Sequence, residues 1–205
     1  MSNSNETVAR RDLLLSAAAA AALGPLSAQA AQHVHAEAEE HKKTAPAGVY
    51  KPKLFNAHEY KTLQRLAVLI IPSEHGGPSA LDAGAPEFVD LLASVNDTIQ
   101  GVFLGGLAWL DGASMRRTGK KFIDTTPEQQ TALLDLIAYR KSDSPEFGPG
   151  IRFFSWARRM VVDAYYTSPH GIKELGFKGN KGMSTFQIPK EALEWVERRT
   201  PPGLA

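Results

Sequence analysis

The sequence predicts an all-α protein: a single irregular helical domain of five or six helices with two long loops, preceded by a signal peptide and a flexible linker. Two observations carry this prediction. Apolar residues recur at helical spacing in several segments that begin with strong capping patterns, of which Asn56 to Glu59 and Thr126 to Gln129 are the clearest. In addition, no stretch alternates polar and apolar residues with the period of two that a half-buried strand requires.

Residues 1–30 are predicted to be an export signal. A polar head with the pair Arg10-Arg11 precedes a short, alanine-rich apolar stretch, and Ala28 and Ala30 supply the small residues that a signal peptidase accepts before its cleavage site. Paired arginines before a weakly apolar stretch are typical of a twin-arginine (Tat) signal. A Sec signal with two incidental arginines is the alternative. Because Tat substrates cross the membrane folded, the chain is expected to travel as part of a complex.

Residues 31–53 are predicted to form a flexible linker, because their low hydrophobicity and mixed charge cannot drive burial. His33, His35 and His41 lie near glutamates in this segment and could bind a metal loosely. Nothing in the pattern fixes the geometry that a specific metal site demands. A solvated tether is therefore the expectation.

The domain is predicted to span residues 54–205. Its first helix begins at Asn56 and ends before Pro72. Further helices are expected around 86–95, 98–115, 126–138, 151–166 and 189–199. The pair Gly105-Gly106 would weaken the helix that contains it, unless another backbone approaches closely there.

Two loops of the domain are long enough to indicate a function, since long loops in compact domains are commonly functional. One covers residues 73–84, and the other includes residues 165–180, where aromatic side chains alternate with glycines. Aromatic residues are favoured at protein interfaces. The sequence therefore predicts that the partner-contacting residues are Tyr165, Tyr166, Pro169, His170, Phe177, Gly179 and Asn180. The alternative is an aromatic loop folded onto its own core.

Composition excludes several kinds of chemistry. The chain has 205 residues and no cysteine, which excludes disulfides, thiolate metal sites, iron–sulfur clusters and cysteine nucleophiles. Its 23 basic and 22 acidic side chains give a net charge of +1, so there is no electrostatic case for a nucleic-acid partner. No dinucleotide fingerprint, P-loop, serine-hydrolase or zinc-protease motif is present. The histidines at 58, 75 and 170 are widely separated, so no metal site or catalytic residue is predicted.

Several blocks of the sequence resemble the gluconate 2-dehydrogenase subunit 3 family. Besides the paired arginines, the resemblance lies in short motifs that together cover most of residues 54–182. The motifs are Phe55-x-x-x-Glu59 leading to Ile70-Ile71-Pro72, Asp82-Ala83-Gly84-x-Pro86-x-Phe88, Gly106-Leu107-x-x-Leu110-Asp111, Tyr165-Tyr166-Thr167-Ser168-Pro169, and Leu175-Gly176-Phe177-x-Gly179-Asn180. Their order and spacing carry the match. Some family members have cysteines, so the lack of cysteine here excludes a disulfide-linked attachment to a partner.

This resemblance implies a small, Tat-exported, non-catalytic subunit of an FAD-dependent glucose–methanol–choline-type sugar or polyol dehydrogenase. The large partner would carry FAD and the catalytic histidine, and a cytochrome c subunit, where present, would take the electrons. The chain itself would hold no cofactor, bind the large subunit and the Tat translocase, and act in the periplasm, free or held at the membrane through the complex. The alternatives are a free-standing periplasmic binding or structural protein and an enzyme that uses His170 with acidic partners.

Overall fold

The computed structural model describes residues 3–139, 144–177 and 188–199, with side chains from Arg11 onward except at residue 47. This part of the chain is helical and contains no strand, which confirms the all-α prediction. Its nine helices are α1 (Asn3–Leu23), α2 (Ala28–Thr44), α3 (Ala57–Ile70), α4 (Ala85–Ser94), α5 (Asp97–Thr118), α6 (Pro127–Ile137), α7 (Gly148–Thr167), α8 (Pro169–Glu174) and α9 (Lys190–Glu197). The number exceeds the predicted five or six because the N-terminal segments and the loop after α7 also contain helices.

Helix α7 lies at the centre of the fold and contacts α2, α3, α4, α5, α6 and α8. Its buried residues Phe153, Ala157, Met160, Val161 and Ala164 recur at three- and four-residue spacing, so one continuous stripe of the helix faces the core. Helix α4 packs against α7 and is also covered by α1, α2, α3 and α5, which leaves it buried on nearly every side. The core therefore forms where α4, α5 and α7 meet.

Helices α5 and α7 pack closely together at Gly106. A β-carbon built at this glycine would lie 1.9 Å from the Phe153 ring, so no larger residue fits without displacing that ring. Phe153 is buried and meets Phe103 edge-to-face at 5.9 Å between ring centroids. A close approach therefore occurs at Gly106, but it is made by the Phe153 side chain rather than by another backbone, and Gly105 is exposed and faces open space.

Capping residues in the sequence correctly predict where two of the helices begin. The Asn56 side chain accepts hydrogen bonds from the backbone at His58 and Glu59, and Glu59 accepts one in return from the Asn56 backbone, which completes the predicted capping box of α3. Thr126 and Gln129 form the same reciprocal pair at α6. Both predicted starts are confirmed.

A buried carboxylate fixes the segment that leads into α3. Asp90 on α4 is fully buried and accepts four hydrogen bonds. The Tyr50 hydroxyl donates to its Oδ2 at 2.8 Å, and the backbone N–H groups of Lys53, Leu54 and Phe55 donate at 2.7, 3.1 and 3.2 Å. A carboxylate that receives this many donors offsets the cost of its own burial. Asp90 therefore fastens residues 50–55 to the core.

The prediction of a flexible linker over residues 31–53 is corrected by the structure. Residues 28–44 form α2, and its Ala31, Val34 and Ala38 are buried in the core. These three residues are spaced by three and four positions, so they share one face of the helix. Mixed charge covers the rest of α2, which is why its composition reads as a solvated tether.

Helix α1 packs beside α2 and against α4. Among the side chains of α1 that the structure describes, the fully buried ones are Ala17, Ala18 and Ala21, so small residues form the buried part of this contact. Within the described ranges, no helix combines the length and apolar character needed to cross a membrane.

Candidate partner-docking site

The two loops that the sequence selects meet at one cavity. It has a volume of about 620 Å³ and lies between α2, the turn at residues 81–84, the first turn of α4 and the junction of α7 with α8. Its walls are formed by Gln32, His35, Ala36, Ala38, Glu39, Lys42, Leu81, Asp82, Ala83, Gly84, Glu87, Thr167, Pro169, His170 and Ile172. Of the predicted interface residues, Pro169 and His170 line this cavity.

One wall comes from the segment that was predicted to be a linker. His35 is half-buried; its Nε2 lies 3.2 Å from the Thr167 hydroxyl, and its ring lies 4.9 Å from that of Phe88 between centroids. Burial lowers the pKa of His35 below 6.5, while the Ala164 backbone and the Glu39 carboxylate act in the opposite direction. The neutral imidazole is therefore favoured, and it ties α2 to the end of α7.

The opposite wall carries two carboxylates in different surroundings. Asp82 accepts hydrogen bonds from the Ser79 hydroxyl and backbone, both at 2.7 Å, and the hydroxyl bond is the largest cause of its lowered pKa. Burial raises the pKa of the Glu87 carboxyl, against which the electrostatic attraction of Lys42 acts. Glu87 follows Gly84, whose φ of 71° is a left-handed conformation that favours glycine. This turn brings both acidic residues to the cavity.

The sharp junction between α7 and α8 positions the third wall. The Ser168 hydroxyl donates to the Tyr165 carbonyl at 2.6 Å and accepts from the Gly171 N–H at 3.2 Å, which caps α8. A β-carbon at Gly171 would lie 2.2 Å from the Tyr165 carbonyl oxygen, so the close turn requires glycine. Residues 169–174 are thus helical, which corrects the prediction that they belong to a long loop including residues 165–180.

The adjacent tyrosines of the predicted interface have different environments. Tyr165 is 2% exposed, and its hydroxyl lies 2.6 Å from Glu174 Oε2 and 3.1 Å from the Pro78 carbonyl. The bond to Glu174 is the largest cause that raises the pKa of Tyr165 to about 12. Tyr166 is 41% exposed and Phe177 is 59% exposed. The structure therefore uses Tyr165 to join α8 to residue 78, and it leaves Tyr166 and Phe177 on the surface.

The remaining predicted site residues have mixed positions. Arg11 is exposed on α1, and the side chain of Arg10 lies outside the described part of the chain. Ala28 and Ala30 lie in the first turn of α2. Gly179 and Asn180 lie outside the described residues.

Within the described ranges, no three histidine, aspartate or glutamate side chains converge as metal ligands. In α2, His41 contacts Glu37 at 3.0 Å and also the Lys53 ammonium. His58 instead pairs with Asp111, which also accepts a hydrogen bond from the Phe122 backbone at 3.0 Å. This pair joins α3, α5 and the turn at 122–124, so its position indicates a structural role.

The described residues thus form a helical domain with a cavity lined by charged side chains beside exposed aromatic residues. Comparison with known families places the chain: residues 57–183, more than half of the chain, match the sequence model of gluconate 2-dehydrogenase subunit 3. The chain belongs to this family, as the sequence motifs predict. No curated protein and no solved structure matches it.

Sequence reasoning missed the α2 wall of the cavity. The available signal was the stripe of Ala31, Val34 and Ala38, preceded by Ser27 as a capping residue. Asp90 was also missed, although a single acidic residue inside an otherwise apolar helix face indicates a buried polar role.

Proposed function

We propose that this chain is the non-catalytic accessory subunit of a periplasmic FAD-dependent sugar or polyol dehydrogenase. The observation that carries the proposal is membership of the gluconate 2-dehydrogenase subunit 3 family, a family named for a subunit of a dehydrogenase. In this role the chain binds the large subunit, assists its assembly and stability, and provides the twin-arginine signal for joint export. The large subunit holds FAD, and a cytochrome c subunit is a further partner where the complex has one.

The surface best suited to the large subunit is formed by Leu81, Tyr166, Leu175 and Phe177, which we call the α8 surface. All four are large apolar residues that are exposed to solvent. They lie on the 78–84 turn and the α7–α8 segment, which are joined by the hydrogen bond from the Tyr165 hydroxyl to the Pro78 carbonyl. Rigid aromatic side chains lose little entropy on binding and dominate interface energetics. Tyr166 and Phe177 are therefore the expected anchors.

The docking proposal is tested with the purified dehydrogenase complex and two variants, Tyr166→Ala and Phe177→Ala. Each is expected to weaken binding of the large subunit by about thirtyfold, corresponding to about 2 kcal/mol for an interface hot spot. The melting temperature of the isolated chain should stay unchanged because both side chains are exposed. Met115→Ala, at an exposed apolar residue of α5, is the matched control and should bind normally. Normal binding by both α8-surface variants would refute this assignment.

Joint export is tested by changing Arg10 and Arg11 together to lysine. Tat signals require the arginine pair, so the variant chain and its flavoprotein partner should both stay in the cytoplasm. Cell fractionation with a dehydrogenase assay measures this directly. Normal periplasmic dehydrogenase activity in the double variant would contradict the shared-export role, and it would leave the docking role to the binding experiment.

A further inference from the structure

The predicted signal-peptidase motif lies inside a folded helix. Ala28 and Ala30 occupy the first turn of α2, and Ser27 is its N-cap. The Ser27 hydroxyl accepts a hydrogen bond from the Ala30 N–H at 3.2 Å, and the Ser27 carbonyl accepts one from the Ala31 N–H at 3.0 Å. The peptide bond between Ala30 and Ala31 is therefore part of a capped helical turn.

The residue after this bond is also buried. Ala31 has 0% exposure and belongs to the same apolar core as Val34 and Ala38. Proteases act on exposed or locally unfolded chain, so their rate on a folded protein follows the population of the opened state. To present the Ala30–Ala31 bond, the first turn of α2 has to unwind and Ala31 has to leave the core.

Helix α1 packs against the helix that contains this turn. Ala17, Ala18 and Ala21 are buried, and α1 contacts both α2 and α4. The chain between α1 and α2 is short and contains Gly24 and Pro25. Because α1 and α2 are packed together across a short connection, movement of the α2 first turn is restrained by the position of α1.

A polar contact from the domain fixes the C-terminal end of α1. Arg159 on α7 donates a hydrogen bond to the Ala21 carbonyl at 2.7 Å, and its guanidinium lies 4.4 Å from the centroid of the Trp156 ring. A cation near the C-terminal end of a helix is stabilising, since the carbonyl groups there lack partners within the helix. The domain therefore contains a side chain that recognises the end of the N-terminal helix.

From these contacts, we propose that the folded chain protects its own processing site and retains α1 as a permanent packed helix. The small-residue motif at Ala28–Ala30 matches a peptidase in sequence, but the α1–α2 pair withholds it in the folded protein. Export in the folded state would then deliver a subunit that still carries its N-terminal helix. The inference concerns processing alone and needs no partner.

The first experiment treats the folded full-length chain with pancreatic elastase, which cleaves after small residues because its specificity pocket is small. Mass spectrometry follows cleavage at the Ala30–Ala31 bond, with a synthetic peptide of residues 24–38 as the unprotected reference. We expect the bond to be cut at least a hundredfold more slowly in the folded chain than in the peptide. Equal rates would overturn the proposal.

Two neighbouring substitutions test the role of α1. Ala18→Asp places a charge at a position with 0% exposure, whereas Ala19→Asp places the same charge at an exposed position of the same helix. We expect Ala18→Asp to speed cleavage at Ala30–Ala31 at least tenfold and Ala19→Asp to behave like wild type. If Ala18→Asp does not fold, Arg159→Gln replaces it, with an expected increase of a fewfold from loss of the Ala21 contact. Unchanged protection in the folded variant would refute the role of α1.

The exported protein provides the second measurement. The intact mass of the chain recovered from the periplasm is expected to include residues before Ala31. A chain that begins at Ala31 would overturn retention even if elastase is slow, because it would show that the site opens during export. Recovery from the periplasm rests on the export proposed above, whereas the elastase result needs neither export nor a dehydrogenase, so failure of the proposed function leaves the elastase test able to support or overturn the protection of this site.

Discussion

The N-terminal helices and the family-matched domain are held by different kinds of contact. The buried side chains of α1, among those that the structure describes from Arg11 onward, are all alanines, whereas α4 buries eight of its ten residues, including Phe88, Leu91 and Leu92. The domain core is thus built from large side chains whose removal leaves cavities. The α1 contact is made by small residues. The free energy of unfolding should therefore fall little when one of them is shortened and much when one is enlarged. Truncation and enlargement should therefore separate the two regions.

The largest expected effect is truncation in the core. Phe103 is fully buried and lies against both Phe55 and Phe153. Phe103→Ala should lower the free energy of unfolding by about 3–5 kcal/mol, because it removes a large apolar side chain and leaves a cavity. Ala21→Gly in α1 is the comparison and should cost about 1 kcal/mol, the difference in helix propensity. Urea unfolding measures both. Similar losses for the two variants would mean that the regions do not differ as described.

Enlargement within the core should have the next largest effect. Gly106→Ala forces the buried Phe153 ring to move and should cost about 1–3 kcal/mol, as overpacking typically does. Gly105→Ala is the matched control, because a β-carbon there meets nothing within 4 Å. It should stabilise the protein by up to about 1 kcal/mol through helix propensity. Equal melting temperatures for the two variants would contradict the close approach of α5 and α7.

A smaller effect is expected at the edge of the α8 surface. Tyr165→Phe removes the hydroxyl that contacts Glu174 and the Pro78 carbonyl, and should cost about 0.5–1.5 kcal/mol, the net value of a typical hydrogen bond. Tyr166→Phe leaves an exposed ring in place and should change stability by less than about 0.5 kcal/mol. Chemical denaturation distinguishes the two. A larger loss of stability for Tyr166→Phe than for Tyr165→Phe would contradict the assignment of the structural hydrogen bonds to Tyr165.

The parts of the fold that could be predicted have local signals. The capping residues at Asn56 and Thr126 act within four residues of chain, so the sequence displays them directly. Helix α2 lacks such an obvious signature, because glutamates, lysines and histidines dominate its composition and alanines supply most of its buried face. Alanine contributes little to hydrophobic periodicity, although it packs as closely as any larger residue. The six residues of α8 are too few to show a period at all.

The candidate site was predictable only in part. Both loops were selected from length and composition, but their meeting at one cavity depends on the packing of α2, α4 and α7. The different environments of Tyr165 and Tyr166 also depend on tertiary structure, since adjacent helical residues point about 100° apart. Which of the two faces inward is decided by what lies against α7. The sequence motifs identified the family because each motif is a short run of residues in a fixed order. Recognising such a run requires no knowledge of these tertiary contacts.

The smallest expected effect is a dependence on pH, because burial and the neighbouring Glu39 act in opposite directions on the pKa of His35. Burial dominates and lowers this pKa below 6.5 in the folded chain, so the unfolded chain binds a proton more readily just below that pH. The contribution of the neutral His35 to the free energy of unfolding is therefore fully present above about pH 6.5, and it is lost as the pH falls toward the folded-state pKa. Glu87 affects stability in the opposite direction, since burial raises its pKa and acid therefore stabilises the folded form.

A comparison with a His35 variant separates the contribution of His35 to this pH dependence from that of Glu87. Between pH 7.5 and 5.5, the urea midpoint of wild type should fall more than that of His35→Gln, while His33→Gln, at an exposed position of α2, should follow wild type. An identical pH dependence in wild type and His35→Gln would show that α2 does not hold His35 in its buried neutral form.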